Sequence, residues 1–198
     1  MTSLWLILFG SLLCGAVHLA ARFWRERGLI SVAVLFMVVL PFIAQVPVDF
    51  FGLTTNFANV VYAPVIYASV LYARRDQCPW RLVQLVLVAC VLSAVVLTYA
   101  VQFEGESVGA LRKLRHGALG VGAASLVAFV FANAVAFRFR SRLVLAQIAA
   151  QAVDSLIFFV LASLLGMNIG EAMLGGFLLK SAIVAVTWAL PELVEEKE

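Results

Sequence analysis

The sequence predicts an all-α protein, a polytopic helical membrane bundle of six or seven transmembrane helices in one domain, residues 1–198, with no soluble domain. Apolar residues make up 64% of the chain and the mean hydropathy is +1.06, which is more apolar surface than a soluble fold of this length can bury. Only 13% of the residues are charged. These fall in short clusters between apolar stretches long enough for a helix to cross about 30 Å of hydrocarbon.

Seven apolar stretches follow one another along the chain. They cover residues 4–21, 28–46, 57–73, 82–101, 118–137, 143–165 and 174–190. The third is short and contains Pro64, so a kinked span, a broken helix and a re-entrant segment all remain open, and with them six or seven spans. The runs are continuously apolar, which excludes the alternating pattern of membrane β-barrel strands.

Basic residues predict the orientation, because loops rich in Lys and Arg stay in the cytoplasm. With seven spans, the first, third and fifth loops hold nine arginines, and the opposite loops hold only Arg112, Lys113 and Arg115. The chain is therefore predicted to be a multi-pass protein of the cell's inner (cytoplasmic) membrane, with its N-terminus outside and its C-terminus cytoplasmic. Arginines follow the first stretch rather than precede it, so this stretch is expected to stay in the mature protein.

The motifs of several protein classes are missing from the sequence. It contains no Gly-rich phosphate loop, no HExxH and no GxSxG, and it has two histidines and three cysteines without a CxxC. We therefore predict no enzyme, no catalytic residue, no metal and no cofactor. The pI near 9.0 is explained by arginines that face anionic membrane lipid, so no nucleic-acid partner is expected.

Ionisable residues at membrane depth are the strongest functional signal, because such groups are costly there and usually paired or functional. Asp154 lies near the middle of the sixth stretch and Lys180 near the middle of the seventh, so a direct ion pair is predicted. Gln147, Gln151, Asp154 and Ser155 follow the spacing i, i+4, i+7, i+8, which places all four on one helix face. We interpret this polar face as a candidate binding site for a small solute.

Other stretches supply weaker candidates for the same site. Asn133 lies on the fifth stretch, Asn59 and Tyr62 share a face of the third, and Phe158 could stack on a planar ligand. A purely structural alternative stays open, in which the ion pair and the glutamines only hold neighbouring helices together.

Several segments resemble the VUT family, the vitamin uptake and queuosine precursor transporters of bacteria and archaea. Residues 124–129 resemble its small, Ser-containing helix, residues 147–166 its polar helix with an acidic residue before paired aromatics, and residues 175–180 the Gly and Lys part of its last helix. Residues 51–53 and 61–64 resemble its apolar segment with a central proline. The two acidic positions that usually follow that proline are Leu71 and Arg75 here.

The resemblance implies a membrane transporter or facilitator of a small polar planar solute, a purine-like heterocycle, with a deazaguanine queuosine precursor as the best candidate. Asp154 would accept the base edge in bidentate fashion, Gln147, Gln151 or Asn133 would reach its other polar groups, and Lys180 would orient or neutralise Asp154.

Two other functions remain open. One is a substrate-binding subunit of an energy-coupling-factor importer, which could dock a partner helix on Ala16, Ala20 and Ala21. The other is a membrane sensor or scaffold module without transport. A homo-oligomer is compatible with each of these functions.

Overall fold

The computed structural model describes residues 2–43, 46–75, 80–88, 124–164 and 170–189. Its elements are α1 (Thr2–Ile43), β1 (Pro47–Phe50), β2 (Leu53–Asn56), α2 (Ala58–Arg75), α3 (residues 80–88), α4 (Ala124–Arg138), α5 (Leu143–Leu164) and α6 (Gly170–Ala189). Most of the predicted stretch 82–101, the first residues of 118–137, and Cys78 and Cys90 lie outside the described residues.

Three helices within the described ranges are long and apolar enough to cross a membrane. They are Ser3–Leu40 (which is broken into two segments at Arg25), Leu143–Leu164 and Gly170–Ala189. The predicted all-α class is therefore confirmed, and these helices support the membrane assignment. The number of spans, six or seven, stays a prediction.

Helix α1 folds back on itself at Arg25. This residue has φ 51° and ψ −130°, which breaks the helix. A Cβ added to Gly28 would lie 2.2 Å from the carbonyl oxygen of Ala20, although eight residues of continuous helix would separate the two by about 12 Å. The reversal lies between the predicted stretches 4–21 and 28–46, and it makes α1 an antiparallel helical hairpin.

A small β-hairpin between α1 and α2 was not predicted from the sequence. Strands β1 and β2 pair antiparallel with Phe50 opposite Leu53. The two turn residues, Phe51 (φ 52°) and Gly52 (φ 85°), are both left-handed, as a type I′ turn requires. The Phe51 N–H donates to Ser3 Oγ at 3.0 Å, so the β-hairpin lies beside the start of α1. We call this end of the bundle the hairpin end.

Helix α2 is the central helix of the bundle. It is helical over all 18 residues, Pro64 included, and every residue from 60 to 73 is buried. Of the three forms that the sequence left open for this stretch, the structure excludes the broken helix, because the helix continues through the proline. A helix buried on all sides must be surrounded by other elements, and α2 packs against α1, α5 and α6.

The helices α5 and α6 run antiparallel. Asp154 and Lys180 meet in the middle of the pair, each ten residues from the linked ends Leu164 and Gly170. Parallel helices would separate those ends by about 30 Å, whereas the six residue steps between them reach about 20 Å at most. The turn that precedes α5 therefore lies at the end of the bundle opposite to Gly170.

Arginines gather at one end of the bundle. The Arg75 guanidinium donates to the carbonyl oxygen of Ala21 at 2.8 Å, so the end of α2 lies beside the reversal of α1, and the turn before α5 faces the same way. The arginines of these three segments are Arg22, Arg25, Arg27, Arg74, Arg75, Arg138, Arg140 and Arg142. We call this the arginine end; the hairpin end carries the acidic residues Asp49 and Glu171.

The outer surface of α5 is apolar and its inner face is polar. Leu156 is 60% exposed and Ile148 50% exposed, whereas Gln147 and Gln151 are buried. This is the reverse of a water-soluble helix, which exposes its polar side chains. A helix of this kind has its apolar face outward, as expected in lipid.

Candidate functional site

A buried ion pair joins the middles of α5 and α6. Lys180 Nζ donates to Asp154 Oδ2 at 2.8 Å, and both side chains are about 95% buried. The structure confirms the pair predicted from the sequence. Lys180 therefore does not extend to the membrane surface, and Asp154 is not a lone carboxylate.

Tyr62 of the central helix completes this group. Its hydroxyl donates to Asp154 Oδ1 at 2.9 Å, and its ring centroid lies 5.4 Å from Lys180 Nζ, within the range of a cation–π contact. The ring also packs edge-on against Phe129 of α4. Tyr62 is a predicted candidate for the site, and its hydroxyl holds Asp154. We call Asp154, Lys180 and Tyr62 the central triad.

The central triad changes what Asp154 offers a ligand. Each of its two oxygens already accepts one strong hydrogen bond, one from an ammonium and one from a phenol. A carboxylate retains further lone pairs, but a bidentate contact with a base edge would compete with Lys180 and Tyr62. The unused hydrogen-bonding capacity therefore lies on the neighbouring residues of α5.

Three other side chains on the inner face of α5 have no hydrogen-bond partner in the described part of the chain. Gln147 and Gln151 are 0% and 1% exposed, and Ser155 is 7% exposed. Both polar atoms of each glutamine and the Ser155 hydroxyl are unpaired. We call these three residues the unpaired row. They lie at i, i+4 and i+8, so the row extends about 12 Å along the helix, and Gln147 is the member nearest the arginine end.

The unpaired row is expected to lower the free energy of unfolding. A buried polar group without a partner costs about 1–3 kcal/mol, so five such atoms together cost an amount comparable to the whole free energy of unfolding of a domain. Buried polar groups in native proteins are almost always satisfied by protein, water or ligand. The polar partners of the row are therefore expected to lie outside the described residues.

Of the remaining predicted site residues, two form hydrogen bonds outside the central triad and one is only half-buried. Asn133 Nδ2 donates to the carbonyl oxygen of Phe129 in its own helix at 2.8 Å. Asn59 Nδ2 donates to Thr55 Oγ1 at 3.0 Å and packs against Gly176, which ties α2 to the hairpin end. Phe158 is half-buried. The structure thus brings Tyr62, Asp154 and Lys180 together and does not add Asn133 or Asn59 to them by a hydrogen bond.

A second polar contact, which the sequence did not predict, lies between α1 and α2. The Tyr67 hydroxyl is 3.4 Å from His18 Nδ1, and Trp188 packs edge-on against Tyr67. The Trp188 indole N–H has no hydrogen-bond partner in the described chain. Tyr62 and Tyr67 are polar-tipped residues in an apolar helix, and this feature of the sequence could have indicated both contacts.

The described residues show no group of three or more His, Cys, Asp or Glu side chains placed to hold a metal ion. An open hollow of about 620 Å³ lies on the reversal of α1, and none of its lining residues belongs to α5. Its lining residues are Phe23, Trp24, Arg25, Arg27, Gly28, Ser31 and Val32.

Comparison with protein families, with characterised proteins and with solved structures finds no match to this chain. The class that the fold and site define is a helical membrane protein with a polar centre. The resemblance to the VUT family stays a prediction.

Proposed function

We propose that the chain is a multi-pass protein of the inner (cytoplasmic) membrane that transports a small polar planar solute, bound at the unpaired row beside the central triad. The observation that carries this proposal is the set of five buried, unpaired polar atoms on Gln147, Gln151 and Ser155. A membrane interior keeps polar groups mainly where they serve a solute or ion pathway. The first candidate solute is a deazaguanine queuosine precursor, carried by a transporter of the VUT type and bound through the unpaired row rather than through both oxygens of Asp154.

The proposed orientation places the arginine end in the cytoplasm. Helix α1 starts at the hairpin end, because Ser3 accepts a hydrogen bond from Phe51, and α6 ends on the side of the arginines. The positive-inside rule then gives an outside N-terminus and a cytoplasmic C-terminus.

One alternative loses its sequence support in the structure. The sequence left open that the chain is a substrate-binding subunit of an energy-coupling-factor importer, with a partner helix docked on Ala16, Ala20 and Ala21. Ala20 and Ala21 are 4% and 1% exposed, packed within this chain, and only Ala16 is exposed. This row of small residues is therefore not a continuous outer surface for a partner helix.

The proposal is tested by thermal unfolding of the purified protein with deazapurines, purines, pterins and water-soluble vitamins. A solute that binds only the native state raises the melting temperature. We expect one class of solute to raise the melting temperature of the native protein and to leave that of the double variant Gln147→Leu/Gln151→Leu unchanged. Without solute, this double variant should be more stable than the native protein by about 1 kcal/mol or more, because it removes unpaired buried amides.

The matched control is Thr187→Val. Thr187 is also buried and polar, but its hydroxyl donates to the carbonyl oxygen of Ile183 at 2.7 Å. Its loss should leave solute binding unchanged and should not stabilise the protein. If the glutamine double variant is less stable than the native protein and no solute class acts, the glutamines hold the helices together and the proposed function is wrong.

A further inference from the structure

We infer that the solute bound at the unpaired row is uncharged and carries paired hydrogen-bond donors and acceptors, as a carboxamide, a lactam or a ureide does. This inference rests on the proposed function, and it concerns the charge and the hydrogen-bonding edge of the solute.

The first step is the charge balance of the site. The carboxylate of Asp154 and the ammonium of Lys180 neutralise each other at 2.8 Å, and Tyr62 adds a neutral hydroxyl. Among the described residues, every other side chain that carries a formal charge at neutral pH belongs to the arginine end, to α3 near it or to the hairpin end. The described residues at the centre of the bundle therefore offer no net charge to a ligand.

The second step is the consequence for a charged solute. Among the described residues, an anion could find a counter-charge at this depth only by taking Lys180 from Asp154, and a cation only by taking Asp154 from Lys180. Either exchange leaves the other partner as an uncompensated buried charge, which is strongly unfavourable. A neutral solute leaves the ion pair intact.

The third step is the hydrogen-bonding inventory of the row. Each glutamine presents two N–H donors and one carbonyl acceptor, and the serine hydroxyl presents one donor and an acceptor. All of these atoms are unpaired in the described chain. A carboxamide or lactam edge carries one donor beside one acceptor, so it pairs with a glutamine amide through two hydrogen bonds at once. A solute with only acceptors or only donors would leave part of each amide unsatisfied.

The inference is tested with three probes of nearly equal shape: neutral benzamide, anionic benzoate and cationic benzamidine, together with the neutral lactam hypoxanthine. Thermal unfolding of the purified chain is measured with each. We expect benzamide and hypoxanthine to raise the melting temperature, and benzoate and benzamidine to leave it unchanged. The increase should disappear in Gln151→Leu and persist in Thr187→Val.

A charge change at the row adds a second readout. Gln151→Glu keeps the length of the side chain and introduces a negative charge, so benzamidine should now stabilise the protein more than benzamide does. If benzoate or benzamidine stabilises the native protein and Gln151→Leu abolishes this, the row binds solutes but the inference about charge is overturned. If no probe of any charge acts, or if the shifts survive Gln151→Leu, the row is not a solute site, and the proposed function is overturned as well.

Discussion

At the scale of single residues, the central triad shows how a charged pair persists in an apolar bundle. Away from the helix ends, Asp154 is the only ionisable residue of α5 and Lys180 the only one of α6. Neither residue therefore has another charged partner nearby in its own helix. Their contact at 2.8 Å, with the Tyr62 hydroxyl on the second carboxylate oxygen, satisfies the strongest hydrogen-bonding groups of the site. A low-dielectric interior makes such pairing obligatory, because a single buried charge is far more costly than a pair.

Breaking this pair should be worse than removing it. We expect Asp154→Asn or Lys180→Met alone to lower the free energy of unfolding by about 3–5 kcal/mol, because each leaves one buried charge unpaired. The double variant should recover part of that loss. Thermal unfolding of the four proteins gives the coupling free energy as a double-mutant cycle.

Asp49→Asn is the control for this cycle. Asp49 is an exposed carboxylate that accepts a hydrogen bond from the Gly52 N–H, so its neutralisation should change stability little. Additive losses in Asp154→Asn/Lys180→Met would show that the two side chains do not interact in the folded protein.

At the scale of elements, the reversal of α1 depends on one glycine. The backbone of Gly28 passes so close to Ala20 that a Cβ would lie 2.2 Å from a carbonyl oxygen and 3.0 Å from Trp24 Cβ. Backbone atoms cannot move aside as a flexible side chain can, so the two segments can approach this closely only where the Cβ is missing.

The glycine requirement leads to a matched pair of substitutions. Gly28→Ala should destabilise the protein by about 2 kcal/mol, as overpacking does elsewhere. Gly15→Ala, in the first segment of the same helical hairpin, should be neutral or slightly stabilising, since nothing lies within 4 Å of the added Cβ and alanine favours the helix. Chemical or thermal unfolding in detergent measures both; equal effects at the two positions would contradict a close reversal at Gly28.

The β-hairpin also acts as an element, because it fastens three helices at one end. Ser3 of α1 holds its turn, and Glu171 and Ala172 of α6 hold β2 through the Thr54 N–H and the Thr55 hydroxyl. On the α2 side, Asn59 donates to the same Thr55 hydroxyl. These contacts fix the hairpin end of the bundle. The unpaired row lies on α5 and extends from the middle of the bundle towards the arginine end.

At the scale of the whole molecule, charge is divided between the two ends of the bundle. The arginine end collects eight arginines from three segments, and the hairpin end carries Asp49 and Glu171. Such an asymmetry orients membrane proteins, since basic segments remain in the cytoplasm.

Reporter fusions test this orientation. Activity reporters joined after Arg75 and after Arg140 should report the cytoplasm, and a reporter joined after Phe51, at the tip of the β-hairpin, should report the opposite side. Arg75 and Arg140 on opposite sides would contradict the arrangement of helices. All three positions on one side would contradict a membrane-spanning bundle.

The sequence by itself determined the class of the protein, the polar face of α5 and the ion pair. Mean hydropathy fixes the class, because the cost of polar groups in lipid acts on composition. Helical periodicity places Gln147, Gln151, Asp154 and Ser155 on one face whatever surrounds the helix, and their burial confirms that this face points inward. The ion pair of Asp154 with Lys180 follows from their depth alone, because each residue lies in the middle of its helix and the two helices are antiparallel.

Only the tertiary structure decided which residues share the site. Tyr62 reaches Asp154 across 92 positions of sequence, and no local pattern encodes a contact of that range. Asn59 and Asn133 carry the same kind of side chain as the glutamines, but their amides are taken by hydrogen bonds within four residues, a choice that depends on side-chain direction rather than on spacing. The central position of α2 and the β-hairpin were likewise set by packing, because burial on all sides and a left-handed Phe51 follow from neighbouring helices and not from residue type.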